Sequence, residues 1–211
     1  MFVGHTALAL AAKARRRDLP LAWAVAAVFL LDLLWPVFLL MGMERVRIEP
    51  GATAFTPLAF DAYPWTHSLL MAIVWGAIVT ALARTHKLLL GALVVSHWAL
   101  DLVTHRPDLP LWPGPSPYVG FGLWNSIAGT FFVEGLLFAG AIVLYLRATT
   151  PRDRIGALAL VGFLLLQGGI WASSPWSPPP PSAQAIASVG LATWLFLPWA
   201  AWIDRHREPR P

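Results

Sequence analysis

Apolar residues dominate this chain in long stretches, separated by short polar or basic breaks. Six stretches are long enough, or nearly so, to cross a bilayer, for which roughly 20 residues are needed. They cover residues 19–41, 67–83, 87–104, 122–146, 155–172 and 183–203, the second and third being short. The first thirteen residues add a short apolar helix, too short to cross alone and suited to a re-entrant position or to packing against the bundle. The pattern predicts an all-α fold, a polytopic membrane bundle of about six transmembrane helices plus a short N-terminal helix. Residues 1–211 form one integral membrane domain. Its first 115 residues carry the polar motifs, and residues 116–211 supply the completing helices.

Composition sharpens this picture. The chain is 57% hydrophobic and only 12% charged, about half the charge usual in a soluble domain, which leaves no room for a separate soluble domain. Net charge is +4, too small and too scattered to argue for a nucleic-acid partner. The basic residues report orientation instead. Arg15, Arg16 and Arg17 precede the first span. Arg84 and Lys87 bracket the second turn, Arg147, Arg152 and Arg154 the fourth, and Arg205, Arg207 and Arg210 follow the last span. With six spans all four clusters share one side, which the positive-inside rule makes cytoplasmic, together with the C-terminus. The expected location is a bacterial inner membrane, with the bilayer lipid as immediate partner. No cysteine is present, which excludes disulfides, thiolate ligands and a Cys nucleophile. The N-terminus reads as part of the mature chain, because its charges follow the apolar run instead of preceding it. Four consecutive prolines, Pro178 to Pro181, read as a stiff spacer. Many of the twelve Trp sit near span ends, as interfacial anchors do.

Six residues break the apolar pattern with groups that can bind a metal: His5, Asp32, His67, His97, Asp101 and Glu134. Ionisable groups in a bilayer cost a few kcal/mol or more unless paired, and they mark function by default. Counting about 1.5 Å per residue brings all six to the outer half of the bilayer. His97 and Asp101 stand at i and i+4, on one helical face about 6 Å apart. Imidazole and carboxylate together suit zinc, and also manganese or iron. Each residue also has a plainer role open to it. His97 and Asp101 can be a hydrogen-bonded packing pair, and His67 a helix-start residue with Thr66 as N-cap. Asp32 can accept a bond near a kink at Pro36, His5 can lie at the interface, and Glu134 can pair with a Trp or with Asn125. His105 extends the four-residue spacing, but Pro107 disfavours helix at Arg106, so it falls at the helix end. His86 and His206 read as surface residues, and Asp61 and Asp108 as outer-loop charges able to support the site.

These residues carry a resemblance. Gly4-His5, Asp32 in "FLLDLLWP", Thr66-His67-Ser68-Leu69-Leu70, Ser96-His97 with Asp101, and Leu111-Trp112-Pro113 resemble the motifs of the bacterial YdjM-like membrane-bound metal-dependent hydrolases. That family is similar in ligand order to zinc-dependent phospholipase C and the P1-type nucleases. The resemblance implies that Asp32, His67, His97 and Asp101 hold one metal, and that Asp101 bridges to a second held by His5. A third would draw on His105 and Glu134, giving one to three divalent ions, zinc first. The pattern also departs: Thr130 stands where those enzymes place a histidine four before the glutamate. Leu31, Leu34 and Trp35 replace most of an acidic motif around Asp32, and Tyr63-Pro64-Trp65 replaces His-Arg-Gly.

The resulting expectation is a metal-dependent hydrolase that cleaves a phosphoester of a lipid or lipid-linked substrate with metal-activated water. Asp32 and Asp101 would be central to catalysis, and Arg106 and Trp65 substrate contacts, although Arg106 is equally suited to snorkelling at headgroup level. The competing classes are an ion, metal or small-molecule transporter, and a non-catalytic membrane protein retaining a metal site. The ionisable groups stop near mid-membrane, which favours a one-sided site facing outward.

Overall fold

A computed structural model describes residues 1–210 as a helical bundle closed at each end by short two-stranded sheets. Helix α1 (Val3–Arg15) is the N-terminal helix, and it packs inside the bundle. Its small residues Gly4, Ala7 and Ala9 let it approach its neighbours closely. The next apolar stretch, expected as one span, is broken at Phe29 into α2 (Leu21–Val28) and α3 (Leu30–Leu40), bent by 52°. The bend lies upstream of Pro36, which sits inside α3.

Strands β1 (Arg45–Ile48) and β2 (Leu58–Ala62) then form an antiparallel hairpin. A single turn of helix, α4 (Pro64–His67), leads into α5 (Leu69–Leu82). Here the expected span over 67–83 is corrected. Ser68 is extended and its hydroxyl accepts the Met71 N–H at 3.2 Å, so the long helix starts after His67 and has 14 residues. The N-cap is therefore Ser68, two residues later than the Thr66 considered from sequence. Helix α6 (Lys87–Thr104) returns beside α5, and the two cross at Gly76 and Gly91. After the β3 (Leu109–Pro110) and β4 (Tyr118–Val119) pair come α7 (Ile127–Ala148), β5 (Thr149–Pro151) and α8 (Arg154–Ser173). A last apolar segment runs through α9 (Ala183–Gly190), a 3₁₀ stretch and α10 (Phe196–Arg205) to β6 (Arg207–Pro209).

Among the described residues four helical segments are long and apolar enough to cross a membrane, and five if the bent pair α2–α3 counts as one. This is a membrane protein by helix length and composition. The six expected spans become five plus the shorter α5.

All four basic breaks meet at one end of the bundle. The Arg17 guanidinium donates to the Arg210 carbonyl at 2.6 Å, and His86 lies 3.4 Å from Asp18. Strand β5 pairs with β6, and Arg152 and Glu208 are 3.3 Å apart across it. Buried Arg207 donates to the Thr149 hydroxyl at 3.0 Å and to the Gly156 carbonyl at 3.2 Å, and its guanidinium lies over the Tyr145 ring. Just below, Lys13 pairs with Asp204 at 3.3 Å, and Asp204 also accepts the Leu21 N–H that opens α2.

Candidate metal centre

The polar interior lies toward the other end, where α1, α3, α4 and α6 converge. Each donor is placed by a local feature of the chain. His5 is in the first turns of α1 and fully buried. Asp32 is in the first turn of α3, and the 52° bend turns this part of the chain relative to α2. His67 ends α4 because Ser68 leaves the helix. His97 and Asp101 share a face of α6, as their spacing predicts, with the His97 Nε2 and Asp101 Oδ2 3.1 Å apart.

The five side chains form two overlapping groups. His5, His97 and Asp101 make one, and Asp32, His67 and His97 the other. His5 Nε2 is 3.2 Å from Asp101 Oδ1, and the His5 and His97 rings stack with centroids 3.7 Å apart. His67 Nε2 is 3.5 Å from Asp32 Oδ1 and 3.8 Å from Asp101 Oδ2. His97 Nε2 is 3.7 Å from Asp32 Oδ1. The Met1 amine contacts Asp101.

Two histidine tautomers follow from the hydrogen bonds. The break at Phe29 ends α2 at Val28, whose carbonyl is open to a donor from elsewhere in the fold. His97 supplies one, donating its Nδ1–H at 2.7 Å. A carbonyl can only accept, so the proton must sit on Nδ1. The opposite nitrogen, Nε2, is buried and has no hydrogen-bond partner, yet it faces two carboxylates. For His67 the neighbour is Thr66, whose hydroxyl donates to Glu44 Oε2 at 2.8 Å. That hydroxyl has one proton, so toward His67 Nδ1, 2.7 Å away, it accepts. In their neutral form both imidazoles thus direct a lone pair from Nε2 toward the carboxylates. Such lone pairs repel carboxylate oxygens unless a proton or a cation lies between them.

A cavity of about 140 Å³ adjoins this cluster, lined by Met1, Phe2, Trp35, Phe60 and Trp124 together with His5, Asp32, His67, Asp101 and His105. That is room for a few waters or one small polar group. The Asp32 side chain is 30% exposed, against 3% for Asp101, which makes it the more accessible carboxylate.

The remaining expected residues take other positions. Glu134 is buried beside the cluster but belongs to neither group. It accepts the Phe2 N–H at 3.1 Å and the Trp124 indole N–H at 3.3 Å. His105 caps α6 at the cavity wall, outside both groups, and its Nδ1 lies 2.9 Å from Asp108. The Tyr63 hydroxyl donates to the same carboxylate at 3.0 Å. Burial first, and then the Asp108 charge, hold the Tyr63 hydroxyl well above its ordinary pKa, so it stays a donor. Arg106 is engaged by Asp108 at 3.2 Å and by the Ala52 carbonyl at 3.3 Å, and it does not line the cavity. Trp65 is exposed and also outside the lining. Asp61 pairs with Arg47 at 2.6 Å on the hairpin surface.

Sequence reasoning missed Glu44, Tyr63 and Trp124. Glu44 stands among charged hairpin residues, and nothing in its spacing marks it as buried. In the fold it is 2% exposed and accepts the Trp65 and Thr66 N–H groups at 2.9 and 2.8 Å. Burial pushes its carboxyl above the ordinary pKa, opposed by the attraction of His67 and by these donors.

Comparison of the chain with protein-family models, with curated proteins and with solved structures finds no match.

Proposed function

We propose that this protein is a membrane-embedded, metal-dependent hydrolase that cleaves the phosphoester of a lipid or lipid-linked substrate, of the kind its YdjM-like motifs suggest. One observation carries the reading. The buried His97 Nε2 has no hydrogen-bond partner and faces the Asp101 and Asp32 carboxylates, while its other nitrogen is committed to Val28. A divalent cation answers both the orphaned lone pair and the closely spaced carboxylates, of which Asp101 also contacts the Met1 amine, and three histidines with two aspartates suit zinc. His5, Asp32, His67, His97 and Asp101 would supply its ligands, with His97 common to the two groups.

A cation held there supplies Lewis acidity and brings the pKa of water down toward about 7. The chain's own residues do the rest. The Val28 carbonyl and the Thr66 hydroxyl fix two ligand rings, as the hydrogen-bond partners of metal-bound histidines do. Asp32, the accessible carboxylate, can orient water in the cavity. Trp35, Phe60 and Trp124 wall the site with apolar surface, which limits water access and strengthens electrostatic interactions inside. His105 lines the cavity, Glu134 bonds the lining residues Phe2 and Trp124, and both would support the reaction without holding the first ion.

The convergence of the basic clusters supports the orientation inferred from sequence. On the positive-inside rule that end and the C-terminus are cytoplasmic, in a bacterial inner membrane, and the cavity faces outward. The lipid character of the substrate rests on where the cavity sits.

The test is metal analysis of detergent-purified wild type beside His97→Ala and Asp101→Ala, followed by hydrolysis of a phospholipid in proteoliposomes. We expect about one zinc or more per wild-type chain and its loss in both variants. A folded wild type that neither contains zinc nor takes it up would overturn the proposal.

A further inference from the structure

Glu44 lies far from the apolar motifs, at the start of the hairpin, yet it is buried against the residue that precedes a candidate ligand. Its two oxygens are used differently. Oε1 accepts two backbone N–H groups, from Trp65 at 2.9 Å and Thr66 at 2.8 Å, which closes the start of the single-turn helix α4. Oε2 accepts the Thr66 hydroxyl proton at 2.8 Å. With its only proton committed, the Thr66 oxygen can only accept from His67 Nδ1, 2.7 Å away.

We propose that Glu44 is a positioning residue, which through Thr66 fixes His67 in the Nδ1–H tautomer and presents its Nε2 lone pair to Asp32 and the candidate metal. The chain of bonds is directional. A carboxylate has no proton to give, so the wire can run only from His67 to Thr66 to Glu44. The direction is imposed from a loop residue about 20 positions upstream in the chain, which also holds the turn that carries His67. The metal half of this inference rests on the function proposed above, while the tautomer half does not.

Glu44→Gln tests the direction of the wire because it is nearly isosteric. The Gln carbonyl takes the place of Oε1 and keeps the two backbone donors. Its amide NH₂ then faces the Thr66 oxygen and donates to it. The Thr66 hydroxyl turns toward His67, and the imidazole proton moves to Nε2, where it blocks a ligand. Thr66→Val removes the wire without touching Glu44, and Thr66→Ser restores it.

The experiment uses full-length protein in detergent, with ¹⁵N-histidine NMR in the metal-free state and zinc competition against a chromophoric chelator. The His67 signal is assigned by its loss in His67→Gln, and thermal melts confirm folding. Wild type and Thr66→Ser should show protonated Nδ1 at His67. Glu44→Gln should show protonated Nε2, and Thr66→Val should lose the preference for Nδ1. Zinc affinity should fall by about 10–100-fold in Glu44→Gln and Thr66→Val, the range typical when a ligand loses its hydrogen-bond partner, and recover in Thr66→Ser. If Glu44→Gln does not fold, the Thr66 pair decides the wire. An unchanged tautomer in the folded variants overturns the proposal. Changed tautomers with unchanged zinc affinity overturn its metal half. A wild type that binds no zinc, with tautomers that still respond, sinks the proposed function and leaves the wire standing.

Discussion

The crossing of α5 and α6 at Gly76 and Gly91 is the joint that carries His97 and Asp101 to their place, and Gly91→Ala tests it. A Cβ at Gly91 would lie 2.0 Å from the Thr80 hydroxyl and 2.7 Å from the Gly76 carbonyl oxygen. Thr80 can rotate away, because its hydroxyl makes only a long 3.4 Å bond to the Lys87 carbonyl. The Gly76 carbonyl belongs to a helix backbone and cannot. Ordinary contact begins near 3.4 Å, so α5 and α6 must part by roughly 0.7 Å at the crossing. Overpacking of this kind costs about 1–3 kcal/mol. Replacing a helical Gly with Ala returns about 1 kcal/mol through backbone entropy, so the net loss is about 0–2 kcal/mol. The control is Gly140→Ala in α7, where a Cβ meets nothing within 4 Å and only the entropic gain applies. Thermal melts in detergent should therefore place Gly91→Ala about 1–3 kcal/mol below Gly140→Ala. Because α6 shifts as a rigid rod, zinc affinity should also fall in Gly91→Ala and not in Gly140→Ala. Equal stabilities in the two variants would refute the packing argument.

Three further outcomes follow from the same geometry. Stripping divalent ions with EDTA should lower the melting temperature by about 5–10 °C, from roughly 2.7 kcal/mol at a hundredfold excess over Kd; added zinc should restore it, and a flat response would count against a bound ion. At the basic end, the His206 hydrogen bond to Asp153, at 2.7 Å, holds that carboxyl below its ordinary 3.8. A depressed carboxyl stabilises above its unfolded value and loses that contribution as pH falls through the folded one. The stability gap between wild type and Asp153→Asn should then narrow below about pH 4, the Asn retaining the α8 cap; a gap independent of pH would show that the pair contributes nothing. Arg207→Ala should lose about 2–4 kcal/mol, through charged hydrogen bonds to Thr149 and Gly156 and the contact with Tyr145, read as earlier hydrogen exchange across β5 and β6; unchanged exchange would show that the strand pair holds without it.

Much of this protein was written locally in the chain. Long apolar stretches determine transmembrane helices, because in hydrocarbon the backbone must satisfy itself. The i, i+4 spacing of His97 and Asp101 determines a shared face, because helix geometry is fixed. The positions of the arginines mark one end of the bundle. The tertiary structure decided what depends on partners distant in sequence. The 52° bend falls at Phe29, not Pro36, because the freed Val28 carbonyl finds the His97 ring. The helix after His67 starts late because Ser68 caps it, and this leaves His67 on a separate turn beside Asp32. Glu44 reads as one more hairpin charge, and only folding buries it against Thr66. His105 follows the same even spacing as His97 and Asp101, but the helix ends and Asp108 takes it. A periodicity says which side chains can share a helix face. Which of them meet, and which nitrogen carries the proton, is set by hydrogen-bond partners that the chain brings together from 20 to 70 residues away.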